Sequence, residues 1–222
     1  DNIDAAAQIA KVFSDAGTTL PVFIDLNVGQ NRTGIIPGKE AIALYEFCSK
    51  TKGISIIGLH AYDGHIRNKD MESRTRACDE AFSKVEAMVK EVAEKGFTKP
   101  ILICGGSPTF SIHCNRKEVQ CSPGTFVFWD KGYSDLCPEQ PFQPAAVLVT
   151  RVISLPDATR ICLDLGHKSV AAENELNNRV FFPEAPQLKA LGQSEEHLVL
   201  EAGEGHSFKV GDVLYGIPIH IC

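Results

Sequence analysis

Four short, nearly all-apolar segments separated by helix-like stretches constrain this chain more than any other feature. Pro21 to Leu26 (PVFIDL), Ile54 to His60 (ISIIGLH), Pro100 to Cys104 (PILIC) and Thr125 to Trp129 (TFVFW) read as buried strands. Asp4 to Ala16, Lys39 to Thr51 and Glu72 to Lys95 repeat their apolar residues at helical spacing, and each is followed by a glycine (Gly17, Gly53, Gly96). Strands that are apolar on both faces and alternate with helices predict a parallel sheet covered on both sides.

After the turn-rich CPEQPFQP (Cys137 to Pro144) the pattern changes. AAVLVTRVISL, TRICLDL, RVFF, EHLVLEA and DVLYGIPIHI follow one another with turns and no helices between them. The expectation is an α/β domain over 1–141 and an all-β domain over 142–222. The length adds a limit. A complete (β/α)₈ barrel runs to roughly 250 residues, so 222 residues cannot hold a whole barrel and a second domain.

The formal charge of −6 and a pI near 5.7 point away from nucleic acid and acidic membranes. The sequence has neither an apolar run of about 18 residues nor a basic-then-apolar opening segment. A cytoplasmic chain with no membrane or nucleic-acid partner is expected. Its eight cysteines are scattered without a CxxC pair, and reduced thiols are expected.

In parallel α/β sheets ligands bind at the carboxyl ends of the strands. Asn27–Gly34 (NVGQNRTG) follows the first strand, Ala61–His65 (AYDGH) the second and Gly105–Thr109 (GGSPT) the third, while Ser122–Thr125 (SPGT) precedes the fourth. The GGSPT glycines permit close backbone approach, and its hydroxyls can meet an anion such as phosphate, although such clusters are also ordinary tight turns. Arg32, between Gly29 and Gly34, can pair with a phenolate or carboxylate or can be a surface loop arginine. Tyr62 and His65 are titratable groups at a strand end, suited to stacking, hydrogen bonding or proton transfer, or satisfied by loop neighbours. His60 reads as a core or supporting residue and His113 as a loop residue. In an extended strand His220 and Cys222 point to one side and can share a metal. Nitrogen plus sulfur favours zinc, and two ligands leave room for substrate. An incidental pair at a strand end is the alternative.

Taken in order, IDLNVGQNRTGI, GLHAYDGH, CGGSPT, SPGTFVFWD, LDLGHK, SEEH and PIHIC resemble the D-threonine aldolase / D-serine dehydratase family, pyridoxal-phosphate enzymes of the alanine-racemase-like fold. The resemblance implies the later part of a pyridoxal-phosphate-binding (β/α)₈ barrel over 1–141, followed by a β domain over 142–222 that carries the metal pair. It implies that Arg32, with Gln30, faces the cofactor's phenolate oxygen and that Tyr62 lies beside its ring or the substrate. Gly105, Gly106, Ser107, Thr109, Gly124 and Thr125 would hold the phosphate. Tyr62 and His65 would be catalytic, and His220 and Cys222 would bind a divalent metal, zinc ahead of manganese or magnesium. The partners implied are a small D-amino acid substrate and a second copy in a homodimer.

The family attaches its cofactor through a lysine on the first barrel strand, in a proline–histidine–lysine type of motif that does not occur here. Lys168 in LDLGHK falls in the β domain instead. A fragment lacking the lysine segment and the extreme C-terminus is therefore expected. The complete enzyme would cleave D-β-hydroxy amino acids to glycine and an aldehyde. The alternatives are a dehydratase giving a keto acid and ammonia, and an inactive fragment or non-catalytic scaffold.

Overall fold

The computed structural model describes residues 1–221. It divides into two compact units, Asp1–Gly124 and Thr125–Cys222.

In the first unit helices and strands alternate as α1 (Ile3–Asp15), β1 (Leu20–Leu26), α2 (Lys39–Lys50), β2 (Ile54–Ala61), α3 (Met71–Glu94), β3 (Ile101–Cys104), α4 (Phe110–His113) and β4 (Val119–Cys121). The strands lie in the order β1-β2-β3-β4, and every pair is parallel. Parallel strands laid down one after another, with no reversal of order, form an arc of a (β/α) barrel; a doubly wound sheet would reverse. Local chemistry sets the helix ends. Asn2 and Asp70 cap α1 and α3 by accepting from Ala5 N–H and Ser73 N–H. Gly17 and Gly96, both at positive φ, follow the two C-termini. Leu26, Leu44, Leu59, Val85 and Val92 are almost fully buried in the core between sheet and helices, each worth roughly 1.5–3 kcal/mol.

The expected strand Thr125–Trp129 is absent. A 3₁₀ turn spans Thr125–Val127, and the Thr125 carbonyl accepts from both Phe128 and Trp129 N–H. Phe126, Val127 and Phe128 are exposed while Trp129 is fully buried. An apolar run alone does not separate a strand from a turn that buries only its two end residues, here Thr125 and Trp129. The fourth strand is the short Val119–Cys121 segment, whose central Gln120 is exposed.

The second unit contains α5 (Lys131–Leu136), β5 (Leu148–Ser154), β6 (Arg160–Leu163), β7 (Val180–Phe181), β8 (Lys189–Gln193), β9 (Leu198–Glu201) and β10 (Val213–Pro218). The six strands form one sheet, ordered β7-β10-β5-β6-β9-β8, with antiparallel pairing throughout. Val152, Ile161, Leu163, Leu165 and Leu200 fill its core. Residues 125–141 pack here as well. Trp129, Tyr133 and Cys137 form a small cluster, Ala145 N–H donates to the Phe128 carbonyl, and Gly132 N–H donates to the Ile219 carbonyl. The change of pattern at 142 thus lies inside this unit.

Cys48, Cys78, Cys104, Cys114, Cys121, Cys137 and Cys162 form no disulfide among the described residues. Among the described residues no helix is long and apolar enough to cross a membrane.

Candidate active site

The carboxyl ends of β1, β2 and β3 carry the loops singled out in the sequence. After β1 the chain makes a tight excursion: Asn27 N–H donates to the Ile35 carbonyl, and Ile35 N–H donates to that of Asp25. The Asn27 side chain accepts from Gly29 and Asn31 N–H inside the loop. Gly34 has φ +93°, and a Cβ there would lie 2.6 Å from the Asn27 nitrogen, so the turn requires glycine. Arg32 stands exposed on this loop, its guanidinium carbon 5.2 Å from the centroid of the Tyr62 ring. Gln30 Oε1 is buried with no hydrogen-bond partner among the described residues.

After β2, Tyr62 lies against two glycines. A Cβ on Gly106 would come within 2.9 Å of its Cε2, and one on Gly64 would overlap its hydroxyl. His65 packs on the Gly29 backbone, where a Cβ would meet its Nε2 at 2.5 Å. Arg32, Tyr62 and Gly106 therefore meet at one mouth of the arc, and His65 rests on the loop that presents Arg32.

After β3, Gly105 adopts φ +84°, and a Cβ there would stand 2.7 Å from His113 Cδ2. The Gly105–Thr109 turn folds over Asp63, which is 2 % exposed. Asp63 Oδ1 accepts from Gly106 N–H at 3.0 Å and from the Thr109 hydroxyl at 2.6 Å. Oδ2 lies 3.0 Å from His113 Nε2 and accepts from the Cys78 thiol at 3.8 Å. Ser107 is buried in the same turn. Gly106 and Thr109, expected to hold phosphate, thus aim these donors inward. Gly124 is exposed and ends the first unit, and Thr125 is buried and opens the second.

Asp63, Cys78 and His113 are all of the metal-ligating kind, with ligand atoms within 4.8 Å of one another. Burial, and then the Asp63 charge, push the Cys78 thiol up to about 12. The same two causes push Cys104 up to about 12. His113, expected in a loop, closes the short α4 and is buried.

A second polar row crosses the sheet. His60 Nδ1 lies 3.2 Å from Asp25 Oδ1 and its Nε2 3.5 Å from Ser122 Oγ. The Thr33 hydroxyl donates to Asp25 Oδ2, and Ser122 donates to the Gly105 carbonyl. Asp25 and His60 are register partners, which two separate sequence segments do not reveal.

In the second unit His220 Nδ1 lies 3.4 Å from Oδ2 of the fully buried Asp130. Asp130 also accepts from Tyr133 and Ile221 N–H, which fixes its carboxylate. An imidazole turned this way keeps Nε2 free for a metal. Asp130 escaped the sequence reading, although it stands at the end of SPGTFVFWD and is an N-cap. Cys222, the other expected metal ligand, lies outside the described residues.

The alanine racemase, N-terminal domain model matches residues 1–131, and the putative serine dehydratase domain model matches residues 145–222. A D-threonine aldolase from Arthrobacter sp. is 25 % identical over 226 residues, covering 100 % of this chain and 59 % of that protein. Among solved structures, D-threonine aldolase from Filomicrobium marinum superposes with a TM-score of 0.87 at 22 % identity, over 98 % of this chain and 59 % of that one. A cysteine-to-alanine mutant of D-threo-3-hydroxyaspartate dehydratase in its metal-free form gives a TM-score of 0.83 at 17 % identity, over 99 % and 64 %. A histidine-to-alanine mutant of that dehydratase, altered two positions before the cysteine, gives 0.76 at 18 % identity, over 98 % and 62 %. The chain thus spans about 59 % of the length of the curated aldolase it matches. With one family model matched over more than half of its residues, the chain belongs to the alanine racemase-like, fold type III family.

Proposed function

We propose that the full-length protein is a pyridoxal-phosphate- and divalent-metal-dependent lyase of the D-threonine aldolase type, splitting D-β-hydroxy amino acids into glycine and an aldehyde. The observation that carries this reading is the meeting of Arg32, Tyr62 and Gly106 at the carboxyl ends of β1, β2 and β3.

The residues present fit the cofactor. Gly105 and Gly106 keep the turn after β3 free of side chains, so that backbone can approach a phosphate. Arg32 offers a planar cation suited to a phenolate oxygen, and Gln30 Oε1, without a partner among the described residues, stands on the same loop. Pyridoxal phosphate supplies an electron sink for the pair released when a bond to Cα breaks. The chain's own share is to bind, orient and move protons. Arg32 and Tyr62 would hold the cofactor from two loops, with Ser107 among the groups around its phosphate. Tyr62 and His65 would be the titratable groups that exchange a proton with substrate. His220, presenting Nε2, would hold a divalent metal with Cys222, and nitrogen with sulfur favours zinc.

A dehydratase outcome, giving a keto acid and ammonia, is the second reading. Its support is the serine dehydratase model over 145–222 and the His-x-Cys pair, which has the spacing of the two positions altered in the dehydratase mutants. Supplying the full-length protein with D-threonine and D-serine separates the two. Acetaldehyde with glycine supports the aldolase, pyruvate with ammonia the dehydratase, and neither product rejects both.

A further inference from the structure

Asp63 is a buried carboxylate that the proposed chemistry does not use, yet four donors converge on it, two on each oxygen. Gly106 N–H and the Thr109 hydroxyl meet Oδ1, and His113 Nε2 and the Cys78 thiol meet Oδ2. An ionised carboxylate offers about four acceptor sites, so this one is filled by hydrogen-bond donors from β3's loop, α3 and α4. We propose that Asp63 is a positioning residue: through Gly106 and Thr109 it locks the Gly105–Thr109 turn in the shape that receives a phosphate group. The assignment rests on the cofactor reading above and deepens it.

The same three side chains could instead be read as a metal site, and the histidine decides against it. His113 Nδ1 is buried with no hydrogen-bond partner among the described residues. With the proton on Nε2, facing Asp63, Nδ1 is left as a bare lone pair. With a metal on Nε2, the proton moves to Nδ1 and a buried N–H donor goes unmet, the costlier arrangement. The high thiol pKa of Cys78 agrees, because a neutral S–H can donate to Asp63. The turn has little freedom to adopt another shape. Gly105 is in the left-handed region against His113, its N–H donates to the Ala61 carbonyl, and its own carbonyl accepts from Ser122.

The test compares two probes, pyridoxal 5′-phosphate and phosphate-free pyridoxal, on the full-length protein and its variants by equilibrium dialysis. The wild type is expected to prefer the phosphorylated probe. Asp63→Asn and Thr109→Val should weaken pyridoxal 5′-phosphate binding by about tenfold and leave pyridoxal unchanged, while Thr109→Ser, which keeps the hydroxyl, should restore the preference. Thr109→Val carries the test alone if the Asp63 variant does not fold. Equal loss for both probes, or no loss, overturns the positioning role. A wild type that does not distinguish the probes overturns the phosphate reading, and this inference with it. Stoichiometric zinc that disappears in Cys78→Ser overturns it in favour of a metal site.

Discussion

The Arg32 guanidinium carbon lies 5.2 Å from the centroid of the Tyr62 ring, linking the loop after β1 to the loop after β2. The contact sets a cation over an aromatic face beside a glycine turn. At an exposed site such a pair is worth roughly 0.5–1 kcal/mol, too little to hold the fold but enough to orient two side chains.

Arg32→Lys keeps the charge and removes the planar fork. Because Arg32 is exposed, the melting temperature should stay within about 2 °C of wild type. Cofactor affinity should fall by about tenfold, as for the loss of one charge-assisted bond. Thermal unfolding and a cofactor titration on the same preparation check both halves. A large fall in melting temperature would assign Arg32 a structural role instead.

Gly105→Ala should act on the fold. It places a Cβ 2.7 Å from His113 Cδ2 at a residue with φ +84°. Positive φ alone costs a non-glycine residue about 1–2 kcal/mol, and the clash with a buried ring adds to it. Urea unfolding should show a loss of roughly 2–4 kcal/mol. Gly124→Ala is the control, since a Cβ there meets nothing within 4 Å among the described residues.

The buried thiols set an alkaline limit. Cys78 and Cys104 are raised to about 12 by burial first and the Asp63 charge second, whereas an exposed thiol titrates near 8.5. Between about pH 9 and 12 the unfolded chain loses these protons and the folded chain keeps them. Stability is unaffected by them below that window and falls as pH rises through it, by about 1.4 kcal/mol per pH unit for each thiol. Denaturant midpoints at pH 8 and pH 10 measure the slope, and a flat profile would contradict the burial.

Asp130→Asn should weaken metal binding without emptying the site. The carboxylate faces His220 Nδ1 at 3.4 Å, and losing such a partner commonly costs about 10- to 100-fold in metal affinity. Chelator competition with zinc reads the change directly, and unchanged affinity would separate Asp130 from the metal.

Periodicity carried the fold. The three long helices and β1, β2 and β3 lie within one or two residues of their expected bounds, because apolar spacing and terminal glycines are local signals. The β4 segment VQC is three residues long with an exposed glutamine, too short and too polar to announce itself. In the second unit, β8 (KALGQ) was hidden by its mixed, partly exposed residues. The loop residues Arg32, Tyr62 and Gly106 were legible as strand ends, and their meeting needed only a parallel arc. The supporting residues were not. Asp63 and His113 stand fifty positions apart, Asp25 and His60 thirty-five, and Asp130 and Ile221 ninety-one. Such pairs exist only through register and packing, which no local pattern encodes.

The most direct measurement is a pyridoxal 5′-phosphate titration of the full-length protein beside its Gly106→Ala variant. The added methyl would come within 2.9 Å of Tyr62 Cε2, pushing the ring from the mouth where Arg32 meets it. Saturable binding by the wild type, weakened by about tenfold or more in the variant at an unchanged melting temperature, is the expected result. Absence of binding by the wild type, or equal affinity in both proteins, would contradict a cofactor site at this mouth.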